Sequence, residues 1–243
     1  MRDARRNIVI NPDLTVGVLA GVAVALAVIH LALLGVAVAT GHDYLFGLVP
    51  LFDLDGEGNI PSFFSGLLLL TNGLLFALTS RTSRDPRRGA WVLLSAVFVF
   101  LAYDEMFSVH ERFTEPIRHT LRTSGPLFYP WFIAYIAPVA VLAWRVLPVW
   151  SRLARRPRTR LAVAIIVYLL GAVGMEMLGG WWDEMYGHHR TLGWGLLVTI
   201  EETLEMAGLI LLVRTLLDLM AGDGDSVHVW FEHGHRRPPP DAR

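Results

Sequence analysis

At 243 residues and 53% hydrophobic, with a mean hydropathy of +0.46, the chain is too apolar for an ordinary soluble domain and suits a single bundle of membrane helices. Its formal net charge is −1, and all 21 basic residues are arginines scattered through loops rather than gathered on one face, which argues against nucleic acid as a partner. It has no cysteine, so disulfides, thiolate metal centres and thiol catalysis are excluded, and any metal must be held by oxygen and imidazole.

Apolar stretches at 16–40, 62–79, 90–111, 129–149, 161–182 and 192–220 each approach or exceed the roughly 20 residues needed to cross a hydrocarbon core. The expected fold is therefore all-α: a polytopic bundle of six transmembrane helices in a domain spanning 1–220, followed by a partly disordered cytoplasmic tail, 221–243. The segment before the first helix carries Arg2, Arg5 and Arg6. The first helix is too long for a signal sequence and is read as a retained span. Arg81, Arg84, Arg87 and Arg88 follow the second helix, and Arg152, Arg155, Arg156, Arg158 and Arg160 follow the fourth. By the positive-inside rule these segments share the cytoplasmic face of a bacterial inner membrane, with both termini inside. Trp131, Trp181, Trp182 and Trp194 fall where outer-interface anchors belong, and Trp91, Trp144 and Trp150 at the inner one.

The first outer loop contains Asp53-Leu54-Asp55-Gly56-Glu57-Gly58-Asn59-Ile60, which matches an EF-hand calcium loop at its early positions, while Phe64 stands where the closing Glu belongs. Asp53, Asp55 and Glu57 are candidate calcium ligands if another segment completes the shell. Two other readings stand beside that one: a Gly-rich turn leading to Pro61 with Ser62 as a cap, and a lid folded over an acidic pocket.

Further along the chain, nine carboxylates sit in or beside three apolar helices with almost no basic partners: Asp104, Glu105, Glu111, Glu176, Asp183, Glu184, Glu201, Glu202 and Glu205. A bare charge in a bilayer costs a few kcal/mol even on mild scales, so these acids must be protonated, hydrated, paired or bound to a cation. At 1.5 Å per residue Asp104 lies about 21 Å along its helix from Ala90, Glu176 about 22 Å from Leu161, and Glu201 to Glu205 about 10–17 Å from Trp194. All three groups reach the outer half of the membrane, which predicts one shared pocket. Asp104, Ser108 and Glu111 fall on one helical face, as do Glu176, Gly180 and Asp183.

Asp104, His110, Glu111, Glu176, Glu202 and Glu205 are candidate ligands for zinc, iron or manganese, with His188 and His189 near the end of the fifth helix. Glu105 and Glu201 are the candidate general acid–base groups. The spacings Glu-x-x-His, His-Glu-x-x-His and Gly-x-Ser-x-Gly are all absent, so no known centre is matched. Residues 104–112 are echoed by 183–190, a pattern that duplication would explain although the two acids differ in depth by roughly 12 Å.

The stretch from Leu51 to Ser65, the acidic end of the third helix and Glu201-Glu202-Thr203-Leu204-Glu205 together resemble an uncharacterised group of bacterial six-helix multipass proteins. That resemblance covers most of the chain and implies a membrane location without a reaction. Three functions stay open: a metal-dependent enzyme acting on a lipid-like substrate, a cation- or proton-coupled transporter, and a structural subunit of a membrane complex. Membrane lipids are the expected surroundings in each case, and the sequence names no protein partner.

Overall fold

A computed structural model describes residues 6–82, 88–187, 191–222, 224 and 226–231. Apart from a two-stranded ribbon and short 3-10 turns, it is all-helical. Strand β1 (Arg6–Ile10) leads into α1 (Pro12–Thr40), which starts sharply because Pro12 occupies its first turn and the Asn11 side chain accepts the Leu14 N–H at 3.0 Å. After a short α2 (Leu48–Leu51), α3 (Ile60–Thr82) begins at a reciprocal cap. There Asn59 Oδ1 accepts the Ser62 N–H (3.2 Å) and Ser62 Oγ accepts the Asn59 N–H (3.1 Å). Then come α4 (Gly89–Phe107), α5 (Glu111–Leu121), α6 (Phe132–Trp150), α7 (Arg155–Leu169), α8 (Glu176–Tyr186), α9 (Leu192–Ala221) and strand β2 (Val227–Phe231).

Five segments are long and apolar enough to cross a membrane: α1, α3, α4, α6 and the continuous run Arg155–Tyr186 that joins α7 to α8. That run contains a π-helical stretch, Leu170–Met175, immediately before Glu176. The sixth long helix, α9, falls outside this set because Glu201, Glu202 and Glu205 interrupt its apolar sequence.

Helix α9 is the axis of the bundle, packed against α1, α3 and α7, with Met206, Val213 and Leu216 fully buried. Two close approaches depend on glycine. A Cβ on Gly208 would lie 2.6 Å from the backbone N of Tyr168, and one on Gly171 would lie 2.7 Å from Glu205 Cγ. Helices α1 and α6 lie at the periphery and expose valines, isoleucines and leucines over most of their length, as lipid-facing surfaces do.

At the end of the bundle that carries β1 and β2, Arg214 pairs with Asp218 at 3.0 Å and with Asp13, while Arg160 pairs with Asp218. Strand β2 pairs antiparallel with β1, with Arg6 opposite Phe231 and Ile10 opposite Val227. Residues 227–231 of the expected disordered tail are thus ordered strand.

Two expectations about helices need correction. The third span does not continue to residue 111: it ends at Phe107, because Ser108 adopts a left-handed conformation (φ 50°) and caps it through its N–H to the Asp104 carbonyl. Residues 111–121 instead form the separate amphipathic helix α5, so Asp104, Ser108 and Glu111 do not form one helical stripe. The tryptophans are also not all a belt. Trp91 is buried and stacked on Phe76, and Trp131 and Trp194 turn inward.

Candidate functional site

The left-handed turn at Ser108 folds the chain back so that His110 meets the end of the helix it follows. Asp104 accepts the His110 backbone N–H at 2.7 Å, its carboxylate lies 3.3 Å from His110 Nδ1, and its other oxygen accepts the Tyr135 hydroxyl at 2.9 Å. Asp104 is almost completely buried, and both its oxygens are engaged. It therefore orients the imidazole and is not placed as a metal ligand. His110 Nε2 points the other way, 4.0 Å from Glu57 of the loop between α2 and α3, while the ring tilts against Trp131 with centroids 4.9 Å apart.

Glu57, His110 and Glu111 present ligand atoms that all lie within 4.8 Å of one another. Glu57 Oε2 is buried and has no hydrogen-bond partner among the described residues. Burial raises the Glu57 pKa above the ordinary carboxylate value, and His110 only partly offsets this. Burial alone would lower the pKa of His110. The Asp104 hydrogen bond and the charges of Asp104 and Glu57 outweigh it and hold the imidazole up at about 9.

The loop between α2 and α3 reaches over this site. Asp53 goes to His30 of α1 (3.5 Å), Asp55 accepts the Trp194 indole N–H of α9 (3.1 Å), and Glu57 goes to His110. Asp53, Asp55 and Glu57 are thus turned to three different partners, and among the described residues only Glu57 joins a cluster of possible ligands, with His110 and Glu111. The loop is held by the Asn59 amide, which donates to the carbonyls of Asp53 (2.6 Å) and Pro50 (3.2 Å). Between the loop, α1 and α9 lies a cavity of about 20 Å³ lined by His30, Asp53, Asp55 and Trp194, room for about one water.

Behind the mouth lie the deeper acids. Glu105 of α4 interacts with Glu57, His110 and Asp104, and Glu202 and Glu205 of α9 both interact with Glu105 and Glu57. Glu201 and Glu202 are adjacent yet serve different partners. Glu201 lies beside Glu176 of α8. Glu176 also accepts the Trp131 indole N–H at 3.1 Å. Glu105, Glu176, Glu201, Glu202 and Glu205 are each half-buried, so they line a crevice rather than sit sealed in the core.

The stripe of Glu176, Gly180 and Asp183 faces one segment, residues 128–131: Trp131 bonds Glu176, Gly180 packs on Phe128, and the Tyr129 hydroxyl donates to Asp183. Glu184 accepts the Gly125 N–H outside the crevice. The echo of residues 104–112 in 183–190 has a common local geometry where it is described: each helix runs three residues past its Asp, to Phe107 and to Tyr186, and ends at a positive-φ residue, Ser108 (φ 50°) and Gly187 (φ 75°), whose N–H bonds the carbonyl of Asp104 or Asp183. His188, His189 and Arg190 lie outside the described residues.

Sequence reasoning missed the donors: Trp131, Tyr135, Tyr129, Trp194 and His30. The signal was present in the four-residue spacing of Trp131 and Tyr135, which puts an N–H and an O–H on one face of α6, toward two acids on neighbouring helices.

Fold and site together define a polytopic helical membrane protein whose bundle encloses a crevice of carboxylates with a carboxylate-oriented histidine at its mouth. The chain belongs to the family described as Domain of unknown function (DUF8692), which it matches over residues 18–219. No curated protein and no solved structure matches it.

Proposed function

We propose that this is an integral membrane enzyme of the bacterial cytoplasmic membrane, with six spans and both termini inside, that uses a divalent transition metal near the outer boundary to act on a lipid-like substrate. The observation that carries this reading is the Asp104–His110 pair turned toward Glu57 and Glu111. A ligating histidine ordinarily gives its second ring nitrogen to a carboxylate, which fixes its tautomer and direction. Here Asp104 occupies Nδ1 and leaves Nε2 facing two carboxylates. One imidazole with two carboxylates suits zinc, iron or manganese.

A divalent ion in such a place polarises a carbonyl and acidifies water. The chain supplies the rest. Tyr135 and the His110 N–H hold Asp104. In this reading Glu105, whose neighbours include Glu57 and His110, accepts a proton, and Glu202 and Glu205 form its continuation. The pairing of residues 6–10 with 227–231 in one ribbon supports a shared side for the segments that flank the bundle.

Transport of a cation or of protons is the second reading, favoured by the neighbouring carboxyls of Glu176 and Glu201 in apolar helices. Against it, the buried polar groups of the half nearer the termini, such as Thr79 and Thr215, bond back to their own helices, and Arg160, Arg214 and Asp218 are spent in ion pairs. Metal analysis of the purified protein decides between the two. We expect about one transition-metal ion per chain, lost in Glu57→Gln and His110→Ala, together with release of a lipid fragment by the wild type. Metal-free protein that carries a pH-dependent ion flux in liposomes would replace the enzyme reading with transport.

A further inference from the structure

At the end of the bundle that carries β1 and β2, a cavity of about 260 Å³ opens between α3, α4, α6 and α9. The space beside His30, about 20 Å³, takes roughly one water, so this one has room for a much larger occupant. Its walls divide by chemistry. Trp91, Val149 and Leu219 make an apolar side, while Thr79 and Thr82 of the last turns of α3 and Arg152, just beyond α6, make a polar one. Both threonine hydroxyls donate to carbonyls of their own helix, so what they offer a ligand is an acceptor. Donors come from the Arg152 guanidinium and from Trp91, which is only 4% exposed and whose indole N–H has no acceptor among the described residues. The surrounding charge has one sign. Arg81, Arg88 and Arg155 lie within three residues of the walls, and the stretches 79–82, 88–91 and 149–160 contain no acid. Asp218, next to Leu219 on α9, is already paired with Arg160 and Arg214.

We infer that this cavity binds the headgroup of one anionic phospholipid, a phosphodiester that also bears a hydroxyl, as phosphatidylglycerol does. The phosphate accepts from Arg152 and from the Trp91 indole, the headgroup hydroxyl donates to a threonine oxygen, and the start of the acyl region lies on Val149 and Leu219. A zwitterionic headgroup fits less well, because its ammonium would enter a region of arginines with no carboxylate to receive it. Basic pockets between helix ends on the cytoplasmic side are where anionic headgroups bind, and the proposed orientation puts this cavity on that side. The site is separate from the metal centre, since Thr79 lies about 28 Å along α3 from Ile60, where the loop carrying Glu57 ends. It therefore does not depend on the enzyme reading.

Native mass spectrometry of the full chain, equilibrated in detergent with equal amounts of phosphatidylglycerol and phosphatidylcholine, tests this. The expected result is one phosphatidylglycerol retained per chain, in several-fold excess over phosphatidylcholine. Arg152→Gln should lower that retention about fivefold, the effect of one arginine near an anionic headgroup. Arg145→Gln, which removes an arginine of α6 outside the cavity, should leave it unchanged. Leu219→Trp fills the cavity but keeps every arginine, and should abolish the preference. Equal retention of the two lipids by the wild type overturns the inference whether or not the variants fold. So does a preference undiminished in Leu219→Trp, which would put the lipid on the arginine surface and not in the cavity. Displacement of the lipid by an equal concentration of glycerol 3-phosphate would overturn the lipid assignment in favour of a soluble phosphate ester.

Discussion

His110 has one ring nitrogen given to Asp104 and the other turned to Glu57, and its titration is the most direct handle on the site. With its pKa held at about 9, the imidazole of the metal-free protein is protonated at neutral pH and opposes a cation. Zinc or manganese affinity should therefore climb about tenfold per pH unit up to about 9 and flatten above it, as titration calorimetry would register, because a ligating histidine must first lose its proton. In chelator-treated protein the sign reverses. A histidine whose folded pKa is raised contributes stability that is complete below its unfolded value near 6.5 and is lost as the pH climbs through about 9. Melting temperatures in detergent should fall across that window, and the fall should vanish in His110→Asn. The Asp104→Asn variant keeps the shape but not the charge. It should weaken metal binding by about 10- to 100-fold and move the plateau in affinity toward pH 6.5. Metal affinity unchanged in Asp104→Asn would mean that Asp104 only packs.

Elements were legible where hydropathy set them and illegible where a single dihedral did. The five apolar spans follow from length and composition alone, and the agreement in depth of Asp104, Glu176 and Glu202 was readable from helical rise. The end of α4 was not, because Asp104 to Arg112 contains neither glycine nor proline and the break depends on Ser108 taking a left-handed conformation that serine rarely adopts. Nor was the π-helical stretch before Glu176. It brings α7 and α8 onto α9 through Gly171, where a Cβ would lie 2.8 Å from the Glu201 carbonyl oxygen, so the sequence signal is the need for a small residue and not a periodicity. The partner contact at Gly208 gives this packing a clean test. A methyl there meets the Tyr168 backbone and cannot be accommodated by a rotamer change, so Gly208→Ala should cost about 1–3 kcal/mol and lower the melting temperature by several degrees. Gly35→Ala in α1, where nothing lies within 4 Å, should be neutral or slightly stabilising by the ordinary helix preference for alanine. Equal behaviour of the two variants would show that α7 and α9 do not approach so closely.

On the scale of the whole molecule, α9 reverses the usual relation between a membrane helix and its surroundings. Its 30 residues are long enough to cross a bilayer, yet it carries three glutamates, an arginine and an aspartate. What makes it tolerable is that most of its surroundings are protein: α1, α3 and α7 pack against it, Met206, Val213 and Leu216 are fully buried, its exposed side is apolar (Leu196, Ile200, Leu211), and its carboxylates face other acids of the bundle. Such a helix cannot be inserted on its own merits, since each ionisable side chain near the centre of an isolated span costs about 2–3 kcal/mol. On the proposed six-span topology α9 must be drawn in by the helices made before it. Fused alone to a glycosylation reporter, α9 should therefore fail to span, whereas in the full chain it should insert with the C-terminus on the side of the N-terminus. Glu202→Leu together with Glu205→Leu should rescue the isolated segment while emptying the crevice of two acids in the full chain. Efficient insertion of the unaltered isolated helix would mean that its acids are shielded without the bundle, and the need for shelter from lipid would then no longer explain why the carboxylates face one another.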